Sequence, residues 1–85
     1  MKPFLVAFDA LPNGTFRASA HGRDYVATQS EVAGGRGEKL VAEALDGSDY
    51  ISLNLYRLKS GPLLKPCEMP DAKVIAFVLD LVPLK

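Results

Sequence analysis

The sequence predicts an α+β fold: an antiparallel sheet of about five strands in the order β-β-β-α-β-β-α, with helices packed on one face. Three observations lead there. Phe4, Val6 and Phe8, and then Phe16, Ala18 and Ala20, recur with a period of two. Ile51–Leu58 and the stretch up to Cys67 flank a turn at Ser60-Gly61-Pro62. A long apolar run from Ala72 to Val82 then follows Pro70-Asp71.

Taken in order, Phe4, Val6 and Phe8 alternate with Leu5, Ala7 and Asp9, and Phe16, Ala18 and Ala20 alternate with Arg17, Ser19 and His21. Between them lies Asn13-Gly14, which supplies the positive φ angles of a tight turn, so the spacing predicts a hairpin. Gly22-Arg23-Asp24 punctuates the chain before Tyr25-Val26-Ala27-Thr28-Gln29, whose residues suit a pleated surface and extend the hairpin to a meander. Gly34-Gly35-Arg36-Gly37 is too costly in backbone entropy for a helix interior. Glu38–Leu45 places Leu40, Val41, Ala44 and Leu45 on one helical face, with Glu38 at the positive end of the dipole and Gly47 as a stop. Strands four and five follow across Gly61-Pro62. Pro66 has no amide to donate, which predicts an edge or a bulge for the fifth strand.

The final run predicts a helix over 72–82, with Lys73 and Asp80 sharing one polar stripe and most of the circumference apolar. The alternative is a buried sixth strand over 73–82, which the β propensity of Val74–Leu79 supports.

Eighty-five residues make one domain, 1–85, with 48% hydrophobic and 24% charged residues. Cys67 is the one cysteine, so no intrachain disulfide forms and a reducing, cytoplasmic location is expected. Pro3 and Asp9 spoil any secretory signal at the N-terminus. The C-terminal run falls short of the ~20 apolar residues of a membrane-spanning helix, so no membrane partner is expected. Ten basic and ten acidic side chains give zero formal charge. A global pull onto nucleic acid is therefore absent, and weak self-repulsion favours association.

Candidate chemistry is sparse. His21, beside Asp24, could move protons near neutral pH, but the alternation places it on the polar side of a strand end. Cys67 lies next to Glu68, which would oppose thiolate formation. One Cys and one His provide no zinc spacing. The glycines of 34–37 have the outline of an anion cradle, yet Glu38-Lys39-Leu40 replaces the Lys and Ser/Thr of a phosphate loop. Arg36, Arg57, Lys59 and Lys65, with Tyr50 and Tyr56 nearby, form a candidate contact set for an anion or nucleic acid. Glu43, Asp46 and Asp49 read as a solvated acidic surface. No catalytic residue, metal or cofactor is expected.

The outline Phe4-Leu5-Val6-Ala7-Phe8 followed by Gly14-Thr15-Phe16-Arg17-Ala18-Ser19-Ala20 resembles the start of HicB-type antitoxins. The resemblance is confined to these residues. The Pro and Gly-Cys segment that follows in that family is replaced by His21-Gly22-Arg23-Asp24. It implies a small regulatory or inhibitory protein.

The reading that results is a non-enzymatic protein-interaction or regulatory module. Its expected partner is itself, as a homodimer, or another protein. The expected surface is the apolar C-terminal segment, Phe77, Val78 and Leu81, together with Tyr56. A nucleic-acid-associated accessory protein using the basic hairpin 56–65 is the alternative. An enzyme with acid–base chemistry at His21 and Asp24 is the third.

Overall fold

Helix α1 (Lys2–Asp9) precedes strands β1 (Gly14–Ala20) and β2 (Arg23–Val32), a 3-10 turn at Ala33–Gly35, and β3 (Gly37–Ala44). Then come β4 (Tyr50–Leu58), β5 (Gly61–Pro66), α2 (Asp71–Asp80) and β6 (Val82–Pro83), in a computed structural model that describes residues 2–84. β1 to β5 run as a meander. After α2 the chain returns to pair β6 with β1, so the antiparallel sheet has six strands in the order β5-β4-β3-β2-β1-β6. The α+β class predicted from the sequence is the observed one.

Alternation builds the core. Ala18, Tyr25, Ala44 and, one row along, Ala27, Ala42 and Ile51 stand side by side across the strands, and Leu40 pairs with Leu53. All are buried. They form a single core with Phe4 and Phe8 of α1 and with Val74, Phe77 and Val78 of α2. Alanines on the sheet leave room for rings above it, as the interdigitation of a well-packed interior requires. Phe77 meets Tyr25 edge to face at 4.9 Å.

Three expectations are corrected. Residues 4–8 are helical, not a strand: Phe4 and Phe8 stack one turn apart at 5.7 Å, while Val6 is 64% exposed. Four-residue spacing satisfies a helix as well as a strand, and Val6 is the residue that tells them apart. Residues 38–45 are the converse, predicted helical but forming β3. There Leu40, Ala42 and Ala44 point inward, Val41 and Glu43 outward, and Leu45 lies exposed past the strand end. Pairing with β2 on one side and β4 on the other overrides the helix propensity of Glu38-Lys39-Leu40. The first hairpin is consequently β1–β2. Its turn is His21-Gly22, with φ of 51° and 76°, the two positive values of a type I′ turn. Asn13-Gly14 instead joins α1 to β1. The hairpin that carried the resemblance to HicB-type antitoxins is not formed.

The remaining elements follow the sequence more closely. α2 starts where Pro70-Asp71 predicts it, and Pro66 lies on the edge strand β5. A sixth strand does exist, though at 82–83 and not over 73–82. α2 is covered on one side only: Val74, Phe77 and Val78 are buried, and Leu79 is 51% exposed beside Lys73 and Asp80.

Removing a buried ring from this core leaves a cavity as well as losing its transfer free energy. Phe77→Ala is expected to cost about 3–5 kcal/mol, read as a fall in the urea midpoint at unchanged m-value. A variant that kept its midpoint would put Phe77 outside the core.

Candidate functional site

Both helices lie on one face of the sheet. Over the opposite face no layer is packed among the described residues. Its side chains form cross-strand rows: Arg17-Val26-Glu43-Tyr50, then Thr15-Thr28-Val41-Ser52, then Ser30-Lys39-Asn54-Lys65, then Val32-Gly37-Tyr56-Leu63. Val26, Tyr50 and Leu63 are exposed, at 37%, 50% and 39%. Beneath them the floor is tight. Ser52 is buried, and the buried Oδ1 of Asn54 accepts no hydrogen bond from the described residues. A buried acceptor left without a partner is uncommon enough to need a reason.

Tyr56, one of the sequence-predicted surface residues, belongs to this face. Gly37 holds it there: a Cβ at Gly37 would come within 2.9 Å of Tyr56 Cδ1 and 3.0 Å of the Leu55 carbonyl oxygen. Only a glycine lets the Tyr56 ring lie against β3.

The edges of the sheet are closed chemically. Cys67 donates its N–H to the Ser52 carbonyl at 2.9 Å, so in the alternating antiparallel pattern the amides of residues 61, 63, 65 and 67 face β4. Residues 62, 64 and 66 face outward, and two of the three are Pro62 and Pro66. At the other edge Leu84 donates to the Arg17 carbonyl at 2.8 Å, which turns position 83 outward, and it is Pro83. Prolines stand where an added strand would need donors.

Phe77, Val78 and Leu81 lie in the core, at 1%, 1% and 8% exposure, and are not available as a contact surface. Their apolar character serves the chain's own packing. The four cations predicted as one contact set are not brought together. Arg57 points to the helix-covered side and is held between Asp9, at 2.6 Å, and Glu38, with contacts of 3.1 and 3.3 Å. Hydrogen bonds from Arg57 to Asp9 and then to Glu38 raise its pKa further. Asp9 ends α1, where the helix dipole disfavours an acid, and Arg57 offsets that charge while tying α1 to the sheet. Arg36 bonds the Ala33 carbonyl within its own turn, Lys59 lies in the β4–β5 turn, and Lys65 points to the open face beside Lys39 and Asn54.

His21 pairs with Asp80 rather than Asp24. Its backbone N–H donates to Asp80 Oδ2 at 2.7 Å, and its Nδ1 lies 3.4 Å from the same oxygen. The link fastens the end of α2 to the β1–β2 turn. No group of three or more His, Cys, Asp or Glu side chains able to hold a metal occurs among the described residues. No described helix is long and apolar enough to cross a membrane.

Asp49 is more than the solvated charge expected. It accepts from the Tyr25 hydroxyl at 2.7 Å and pairs with Lys73 at 3.0 Å, joining β2, the β3–β4 connection and α2. Burial acts to raise its pKa. The hydrogen bonds from Tyr25 and Lys73 and the Tyr50 backbone outweigh it, and the carboxyl ends below the usual range. Tyr25 is pushed up, first by burial and then by its bond to Asp49. Asp49 and Lys73 also border an open depression of about 420 Å³ with Cys67, Glu68 and Met69. Among the described residues no side chain hydrogen-bonds the Cys67 thiol. Nothing in the sequence announces the Asp49–Lys73 pair, because its members are far apart along the chain and meet only through the fold.

Comparison with protein-family models, with curated proteins and with solved structures gives no match.

These networks make stability depend on pH and on salt. Because Asp49 and Asp46 are depressed in the folded state, their stabilisation is complete above the ordinary carboxylate pKa of ~3.9 and is lost as pH falls through their lower folded values. The urea midpoint should hold between about pH 5 and 8 and drop below about pH 4, with a shallower drop in Asp49→Asn; an identical acid limb in that variant would show that Asp49 does not contribute. Arg57→Gln should cost about 0.5–1 kcal/mol, since the pair is partly exposed and screened, and less at high salt, seen as a lower thermal midpoint. A stability unchanged by the substitution would show the clamp to be ornamental.

Proposed function

We propose that this protein is a small non-enzymatic interaction module that binds protein through the uncovered face of its sheet. The observation that supports the reading is the contrast between surfaces. Both edges present proline at outward-facing positions, and Phe77, Val78 and Leu81 are consumed by the core. The open face combines exposed apolar side chains with a broad, continuous backbone platform. Aromatic residues enriched at protein interfaces, Tyr50 and Tyr56, stand among them. The nucleic-acid reading has less support, since Arg57 is committed to two carboxylates and points away from Lys65.

The test compares substitutions on the two sides of the molecule, using the purified chain as bait in lysate of its host, with and without nuclease. Val26→Asp and Leu63→Asp are exposed strand changes, expected to cost about 1 kcal/mol or less in stability. They should reduce captured protein about tenfold. Val6→Asp and Leu79→Asp, on the solvent side of the helices, should leave capture unchanged. Capture indifferent to the open-face pair, or abolished by nuclease, would overturn the proposal.

A further inference from the structure

On the reading that the open face is the binding surface, we infer that its occupant is a second copy of this chain, packed sheet against sheet about a two-fold axis that crosses the strands at Val41. The order of the rows carries this. On one side of the Thr28-Val41-Ser52 row stands Glu43, flanked by Val26 and Tyr50; on the other stand Lys39 and Lys65, flanking Asn54.

Two simple two-fold arrangements bring the face onto itself. An axis along the strands through β3 sets Glu43 against Glu43 and Lys39 against Lys39, placing like charges in contact. An axis across the strands keeps each strand over its own copy and exchanges the rows. Glu43 of one copy then faces Lys39 of the other, twice per dimer, and Val41 meets Val41 at the centre. The same exchange sets Tyr50 of one copy over Asn54 of the other. Charge selects the axis across the strands.

The size suits such a contact. Five strands of 6 to 10 residues, spaced ~4.8 Å and rising ~3.4 Å per residue, present roughly 650 Å², somewhat below the ~800 Å² that each partner contributes to a stable interface. Aligned sheets pack this way in sandwiches, ~10 Å apart. A formal charge of zero adds little net repulsion between copies.

Sedimentation equilibrium from about 10 µM to about 1 mM chain tests the inference. The wild type should rise from the monomer mass towards twice that mass. Glu43→Lys and Lys39→Glu should each weaken association about tenfold or more. An equimolar mixture of the two variants should recover it, because positions 43 and 39 then carry opposite charges at both contacts of the mixed dimer. The double variant, with the two charges exchanged within one chain, should recover it alone. Circular dichroism identifies any variant that fails to fold, in which case the other reversal and the double variant decide. A wild type monomeric at the highest concentration, single reversals without effect, or a mixture that stays monomeric would overturn the inference. A monomeric wild type whose captured protein is still lost on Val26→Asp and Leu63→Asp would overturn the self-association and leave the open-face reading standing.

Discussion

A single register of alternation runs through five adjacent strands, and the rest of the molecule depends on it. Pairing Tyr25 with Ala44, Ala27 with Ala42, and Leu40 with Leu53 puts every one of these inward side chains beneath the helices. A slip of one residue in any strand would turn its alanines and leucines to water. With the inward rows fixed, the outward rows are fixed too, so the charges and tyrosines of the open face are consequences of the same pattern that makes the core.

Two short helices, 8 and 10 residues long, can roof only one side of a six-stranded sheet. They are placed by polar ties as well as by packing. Arg57 holds the end of α1 through Asp9, Lys73 holds the start of α2 through Asp49, and the His21 backbone holds its end through Asp80. Each tie joins a helix to a strand end or turn. The strands that would otherwise invite a neighbour are finished with Pro62, Pro66 and Pro83, and the flat of the sheet opposite the helices is left uncovered among the described residues.

Much of the fold is legible in the sequence. The strands β1, β2, β4 and β5, the turn before Pro62, the edge position of Pro66 and the helix after Pro70-Asp71 all follow from local chemistry. Two elements are exchanged between expectation and structure, and for one reason. Phe4 with Phe8, and Leu40 with Ala44, are pairs four residues apart, a spacing that suits a helix face and a strand face alike. The residue between decides, and it is Val6 pointing out in one case and Ala42 pointing in for the other. For β3 the choice is made by pairing with β2 and β4, and for α1 by packing against α2 and the core, neither of which a short window contains. Of the residues expected at a surface, Tyr56 and Lys65 lie on the open face, whereas Phe77, Val78 and Leu81 are buried. An apolar helix has the same composition whether it faces a partner or its own sheet.

Contact between copies on the open face, and not at the edges or on the helices, is measured most directly by concentration-dependent chemical shifts of methyl groups and backbone amides. Shifts should move with concentration at Val26, Val41 and Tyr56, while Val6, Leu79 and the outward-facing Leu64 amide stay still. Movement confined to the helix residues or to the Leu64 edge, or none at all up to millimolar chain, would refute self-association through this face.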